Sequence, residues 1–128
     1  ILGSCVTLCL WDAAARVGGM NHFLLPQAPA RGADPLRFGS TANPMLLDQV
    51  LAAGASRRRL QAMLFGGACV MKAFQRDDVP HLGAQNVETS REFLQAMRIP
   101  LRAEGCAGLR GRKVTFHTGD GRVLVRTL

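Results

Sequence analysis

The sequence predicts an α+β protein: a layered, mostly antiparallel, β-sandwich-like core flanked by two main helices. Three observations carry this. Short apolar segments rich in β-branched residues stand at both ends of the chain, paired across short connections as antiparallel hairpins require. Two longer segments between them space their apolar residues at helical intervals. Hairpins at both ends also argue against a doubly wound parallel sheet, in which strands and helices alternate throughout. At 128 residues and 48% hydrophobic, the chain suits one domain over 1–128, with a core that needs no staples. It begins at Ile1 rather than methionine, so an N-terminal segment is expected to be missing.

The elements follow in chain order. Val6 to Trp11 reads as a strand, Asp12 to Arg16 as a turn, and Val17 to Leu25 as a second strand ended by Pro26. Gly18-Gly19 is a place where a bulge could shift the register. Gln27 to Pro44, rich in Pro, Gly and Ala, reads as a long loop. Met45 to Ala53 reads as a helix with Met45, Leu46, Val50 and Leu51 on its apolar stripe and Gly54 as its stop. Arg57-Arg58-Arg59 reads as a solvated charge run. Leu60 to Phe65 reads as a strand leaving through Gly66-Gly67, a tight exit. Asn86 to Met97 reads as an amphipathic helix with Val87, Phe93, Leu94 and Met97 inward, Asn86 as N-cap and Glu88 in the first turn. Pro100 closes it. Ile99 to Ala103, Lys113 to Phe116 and Arg122 to Thr127 read as strands, the last two joined through Gly119-Asp120-Gly121.

Lysine and arginine outnumber aspartate and glutamate by 16 to 9, a net charge of +7, which favours acidic partners. With no tyrosine and one tryptophan there is no aromatic platform for single strands, and no nucleic-acid partner is expected. No segment approaches the roughly 18–20 apolar residues that span a bilayer, and no membrane insertion is expected. No secretory signal is visible. The cysteines at 5, 9, 69 and 106 lack a C-x-x-C pair, which argues against a zinc ribbon. They read as free thiols of a reducing cytoplasm, with Cys9, Cys69 and Cys106 as small buried hydrophobes. The histidines at 22, 81 and 117 are too scattered for a metal motif.

The chemistry concentrates at Cys5 and His22. A free thiol is only a few per cent ionised at neutral pH, and a neighbouring imidazole can take its proton. Strand pairing allows the two to meet. A two-residue turn at Ala13-Ala14 sets Cys5 opposite His22. A turn at Ala14-Ala15 makes them diagonal neighbours on one face. A shift by one residue separates them onto opposite faces. Gly3 and Ser4 let the backbone bend close to a substrate, and amides around Cys5 could donate to an oxyanion.

Five blocks occur in order: Leu2-Gly3-Ser4-Cys5-Val6, Gly19 to Pro26 (Gly-Met-Asn-His-Phe-Leu-Leu-Pro), Phe65-Gly66-Gly67-Ala68, Gly83-Ala84-Gln85-Asn86-Val87 and Gly111-Arg112-Lys113-Val114. Together they resemble the CheD family of chemoreceptor glutamine deamidases over nearly the whole chain. The first two are the most specific in combination. The resemblance implies a fold similar to that of bacterial toxin deamidases. It also implies deamidation of glutamines on the cytoplasmic helices of methyl-accepting chemoreceptors, with receptor methylesterase activity credited to some members. It places the nucleophile on Cys5 and the base on His22. Gly3, Ser4, Phe65, Gly66 and Gly67 are candidate oxyanion or substrate-binding positions. No metal or organic cofactor is implied, and a CheC-type phosphatase is an implied partner. The family's third active-site member, a threonine, would lie before Ile1. Arg37 to Pro44 departs from the usual tyrosine-containing version, Gln85 stands where arginine is common, and Ala107 where glycine is common. The competing reading is a non-catalytic module that docks on receptor or phosphatase.

Overall fold

The structure, a computed structural model, describes residues 1–29, 31–70 and 81–128. Ala30, inside the expected long loop, falls outside them. The element order is β1 (Val6–Asp12), β2 (Val17–Met20), a 3-10 turn (Pro35–Arg37), α1 (Gly39–Ala52), β3 (Gln61–Gly66), α2 (Leu82–Met97), β4 (Leu101–Cys106), β5 (Arg112–His117) and β6 (Arg122–Thr127). This is the α+β arrangement expected, with both hairpins in place.

One sheet has the order β2-β1-β3-β4, and β5-β6 forms a second. All seven residues of β1 are buried, because β1 lies between β2 and β3 with both faces covered. Val6, Leu8 and Leu10 face the helices, joining Leu46, Leu47 and Val50 of α1 and Val87 and Leu94 of α2. Each such burial is worth about 1.5–3 kcal/mol. The alternate residues point the other way, where Cys9 with Leu2 and Phe65 meets Val114, Phe116 and Val123 of the second sheet. Trp11 seals that side, edge-on to Phe116 with ring centroids 6.4 Å apart. The layers are therefore helices, four-stranded sheet and hairpin.

Among the named strands of the described residues, pairing departs from antiparallel at β3–β4, and an isolated parallel bridge joins Leu25 to Phe38. β3 and β4 run parallel, because the chain between them is spent on α2 and a crossover returns the strand in the same direction.

Several boundaries correct the sequence reading. The second strand stops at Met20 rather than Leu25, because the Asn21 side chain replaces the ladder: its Oδ1 accepts from Leu8 N at 3.0 Å. Gly18-Gly19 makes no bulge. A Cβ at Gly19 would lie 3.0 Å from both Leu46 and Val50, so α1 packs there. The expected loop to Pro44 instead contains the first turns of α1. The carbonyls of Leu25 and Pro26 accept from Gly39 N and Ser40 N, both at 2.9 Å, and do the work of a side-chain cap. Pro44 therefore sits inside the helix. Gly54, at φ +113, ends it as expected.

Asn86 is not the N-cap of α2. That position belongs to His81, whose Nδ1 accepts from Ala84 N at 3.2 Å, so α2 begins at Leu82 and Glu88 lies beyond its first turn. The arginine run is not wholly solvated either. Asp12, fully buried, accepts from Ser56 N at 2.7 Å, from Ala14 N and Ala15 N at 3.1 Å, and from the Arg59 guanidinium. Those hydrogen bonds, Arg59 first, hold its carboxyl well below the usual carboxylate range. Arg57 donates to Met97 O at 3.1 Å.

Candidate active site

The turn before β1 is fastened from three directions. The carbonyl of Leu2 accepts from Arg112 N at 2.8 Å, that of Gly3 from Ala68 N at 3.0 Å, and that of Cys5 from Gly67 N at 2.9 Å. The carbonyl of Ser4 accepts from Asn86 Nδ2 at 3.0 Å. Four successive carbonyls are thus tied to β5, to the exit of β3 and to α2. A trans peptide sets its N–H opposite its C=O, so tying these oxygens inward turns the following amides outward. Among the described residues, the N–H groups of Gly3 and Ser4 meet no acceptor. Cys5, half-buried and unbridged, lies at the end of this turn.

The glycines of the β3 exit explain how the turn is approached so closely. Gly66 and Gly67 have φ +109 and +72, in the left-handed half of backbone space that favours glycine. A Cβ on Gly66 would overlap the Cys5 carbonyl oxygen, and one on Gly67 would lie 2.7 Å from the carbonyl oxygen of Gly83. The exit is therefore backbone packed on backbone, against the Cys5 turn on one side and the first turn of α2 on the other. Phe65 points into the second core with Leu2 and Cys9.

His22 arrives on the neighbouring segment. The β1–β2 register runs from Asp12–Val17 to Cys9–Met20 and resumes at Val6–Phe23. Of the registers the sequence allows, this is the one that makes Cys5 and His22 diagonal neighbours. The interval between is held by side chains. Thr7 Oγ1 donates to the Asn21 carbonyl, and Asn21 Nδ2 donates to Asn43 Oδ1 at 2.8 Å. Asn43 Nδ2 donates in turn to Ser90 Oγ at 3.0 Å. Asn43, Ser90 and Asn86 are fully buried. His22 itself is exposed, and no hydrogen bond joins its ring to Cys5 among the described residues.

Electrostatics keep both groups neutral. Partial burial pushes the Cys5 thiol up, against a smaller opposing pull from its own backbone amide. Partial burial of the ring lowers His22. At pH 7 the pair is thus a thiol and a free-base imidazole. Cys9 is pushed up to about 12 and Cys106 to about 11 by burial; Cys9 and Cys69 are buried as expected, whereas Cys106 is half-buried rather than buried.

The structure packs Cys5 against Gly66 and Gly67, ties Gly3 to Ala68 and Ser4 to Asn86, and sets His22 on the adjacent segment. Sequence reasoning missed Asn86 and the Asn21–Asn43–Ser90 relay. A signal was present: Asn86 and Ser90 lie four apart on the stripe of α2 that also carries Leu94. A separate open groove of about 410 Å³ lies where α2 runs into β4, lined by Leu94, Arg98, Ile99 and Leu101. None of the expected site residues lines it. Among the described residues, no three His, Cys, Asp or Glu side chains are grouped to hold a metal ion.

A family described as CheD chemotactic sensory transduction matches residues 24–127. A "Probable chemoreceptor glutamine deamidase CheD" from Stenotrophomonas maltophilia (strain K279a) is 46% identical over 127 residues, covering 99% of this chain and 63% of that protein. A protein of the same name from Xanthomonas axonopodis pv. citri (strain 306) matches with the same identity and coverage. A "Probable chemoreceptor glutamine deamidase CheD 1" from Anaeromyxobacter dehalogenans (strain 2CP-C) is 48% identical over 128 residues, 100% of this chain and 73% of that protein. The chain spans 63% of the length of the first two relatives. The family match begins after Cys5 and His22, whereas the pairwise match to the Anaeromyxobacter protein takes in both.

Proposed function

Because the chain belongs to the CheD family, we propose that it converts glutamine side chains of chemoreceptors to glutamate through a Cys5 thioester, with His22 as the proton carrier. The observation that supports this best is the turn itself. Its carbonyls are tied inward and, among the described residues, the amides of Gly3 and Ser4 meet no acceptor, immediately before a cysteine. Such amides suit the oxyanion of an acyl-transfer intermediate.

His22, free base at neutral pH, takes the Cys5 proton as sulfur attacks the carboxamide carbon. The tetrahedral oxyanion is held by the Gly3 and Ser4 amides. The C–N bond breaks, and ammonia leaves with the proton that His22 returns. A water molecule, deprotonated by His22, attacks the thioester. The C–S bond breaks, glutamate departs, and the proton goes back to sulfur. No redox partner enters. The same route accepts a glutamate methyl ester, with methanol leaving in place of ammonia.

The net charge of +7 suits acidic helical bundles in the cytoplasm as substrate. A CheC-type phosphatase that presents a similar helix would compete for the same face. The test is mass spectrometry of a receptor fragment together with ammonia release. Cys5→Ala and His22→Ala are expected to abolish both while melting like the parent. Full activity in either variant sinks the reading.

A further inference from the structure

We infer that Asn86 is a positioning residue: through α2 it sets the Cys5 amide and the His22 segment relative to each other. This rests on the thioester reading above. Asn86 Nδ2 donates to two carbonyls at once, Ser4 O at 3.0 Å and Leu24 O at 2.9 Å. Ser4 adjoins Cys5, and Leu24 lies two residues past His22. One buried amide group therefore bridges the two segments that carry the reacting pair.

The direction of the amide is set by its surroundings. Both partners are carbonyl oxygens, so only the NH2 end can face them. The other end, Oδ1, is buried and meets no partner among the described residues. Leaving an acceptor unsatisfied is costly, so what the side chain contributes is its two donated bonds, to Ser4 O and Leu24 O.

The consequence at Cys5 follows from peptide planarity. With the Ser4 oxygen drawn to α2, the Cys5 N–H in the same plane points away from α2, beside its own thiol. The consequence at His22 follows from the second bond, which anchors the segment just past the ring. Four residues along the same face of α2, Ser90 anchors the segment just before it, through Asn43 and Asn21. α2 thus holds the His22 backbone on both sides, and none of its side chains need touch substrate.

The test is steady-state ammonia release from a purified glutamine-containing receptor fragment, with melting curves in parallel. Asn86→Ala is expected to lower kcat about 100-fold with KM within about twofold, since a misplacement of the reacting pair by about 1 Å costs that order in rate. Asn86→Ser keeps one donor and covers the case in which Asn86→Ala does not fold; it is expected to lose about tenfold in kcat. A purely structural role would instead lower the melting temperature and leave kcat of the folded fraction unchanged, and that result overturns the inference. Unchanged kcat in both variants, with a parent that Cys5→Ala inactivates, overturns positioning alone. A parent that releases no more ammonia than Cys5→Ala overturns the deamidase reading and the inference together.

Discussion

Gly66→Ala tests the contact that fixes the Cys5 turn. Gly66 has φ +109 and pairs with Val6 where the β1–β3 ladder ends. A Cβ there would overlap the Cys5 carbonyl oxygen and lie 3.2 Å from both the Cys5 carbonyl carbon and Val6 Cα. Both neighbours are backbone, so no side chain can swing aside. A non-glycine residue in this conformation costs about 1–3 kcal/mol. Crowding adds a further ~1–3 kcal/mol, and weakening the Gly67-to-Cys5 hydrogen bond about 1 kcal/mol. The expected total of roughly 3–7 kcal/mol is a large share of the ~5–15 kcal/mol typical of a domain. Relieving the overlap moves the Cys5 carbonyl by roughly 1 Å, a misplacement that can cost about 100-fold in rate. Urea unfolding followed by fluorescence of Trp11, buried between the layers, reads the first effect, and ammonia release reads the second. Gly119→Ala is the control, since nothing lies within 4 Å of a Cβ there. It should stay within about 0.5 kcal/mol of the parent. A Gly66→Ala protein that matches this control in stability and the parent in rate would refute the reasoning.

Three further outcomes are expected. Alkylation of Cys5 by iodoacetamide should be slow at pH 7 and still rising above pH 9, because burial raises the thiol; a plateau below pH 8 would contradict a neutral pair. Stability should fall as pH rises past about 9. Unfolded thiols there lose protons that Cys9 keeps to about 12 and Cys106 to about 11 in the folded protein. The unfolded state then binds fewer protons, and each pH unit costs up to ~1.4 kcal/mol for Cys9 and less for the more exposed Cys106. Urea midpoints between pH 8 and 10.5 measure this slope, and Cys9→Ala should flatten it. Ala107→Gly should raise the unfolding midpoint by the equivalent of about 1 kcal/mol, because Ala107 has φ +64, where a Cβ is disfavoured; an unchanged or lower midpoint would count against that strain.

Much of the fold was legible because its signals are local. The hairpins follow from turn residues beside β-branched runs, and Gly54 marked the end of α1 through its conformational need. The start of α1 was hidden because its cap is tertiary: the carbonyls of Leu25 and Pro26, not a Ser or Asp beside it, hold its first amides. Asn86 looked like a cap because asparagine favours caps, yet its side chain is spent on Ser4 and Leu24. Arg59 looked solvated because Asp12, its buried partner, is far away in the sequence. At the site, Cys5 and His22 could be paired by strand parity. The orientation of the turn could not, since it rests on bonds from β5, the β3 exit and α2.

The bond from Asn86 to Ser4 also has a temporal meaning. It joins residues 82 apart, and closing a chain of that length costs roughly 4 kcal/mol of entropy before any contact rewards it. Such contacts form late. On the ribosome the gap is longer still: at about 5–20 residues per second, Cys5 is made some 4–16 seconds before the helix that anchors it. The thiol is therefore synthesised well before the helix that brings it into alignment. Until α2 docks, the turn before Cys5 lacks the bond that fixes the Ser4 carbonyl, so on the proposed thioester route the nascent chain holds its thiol ahead of its alignment.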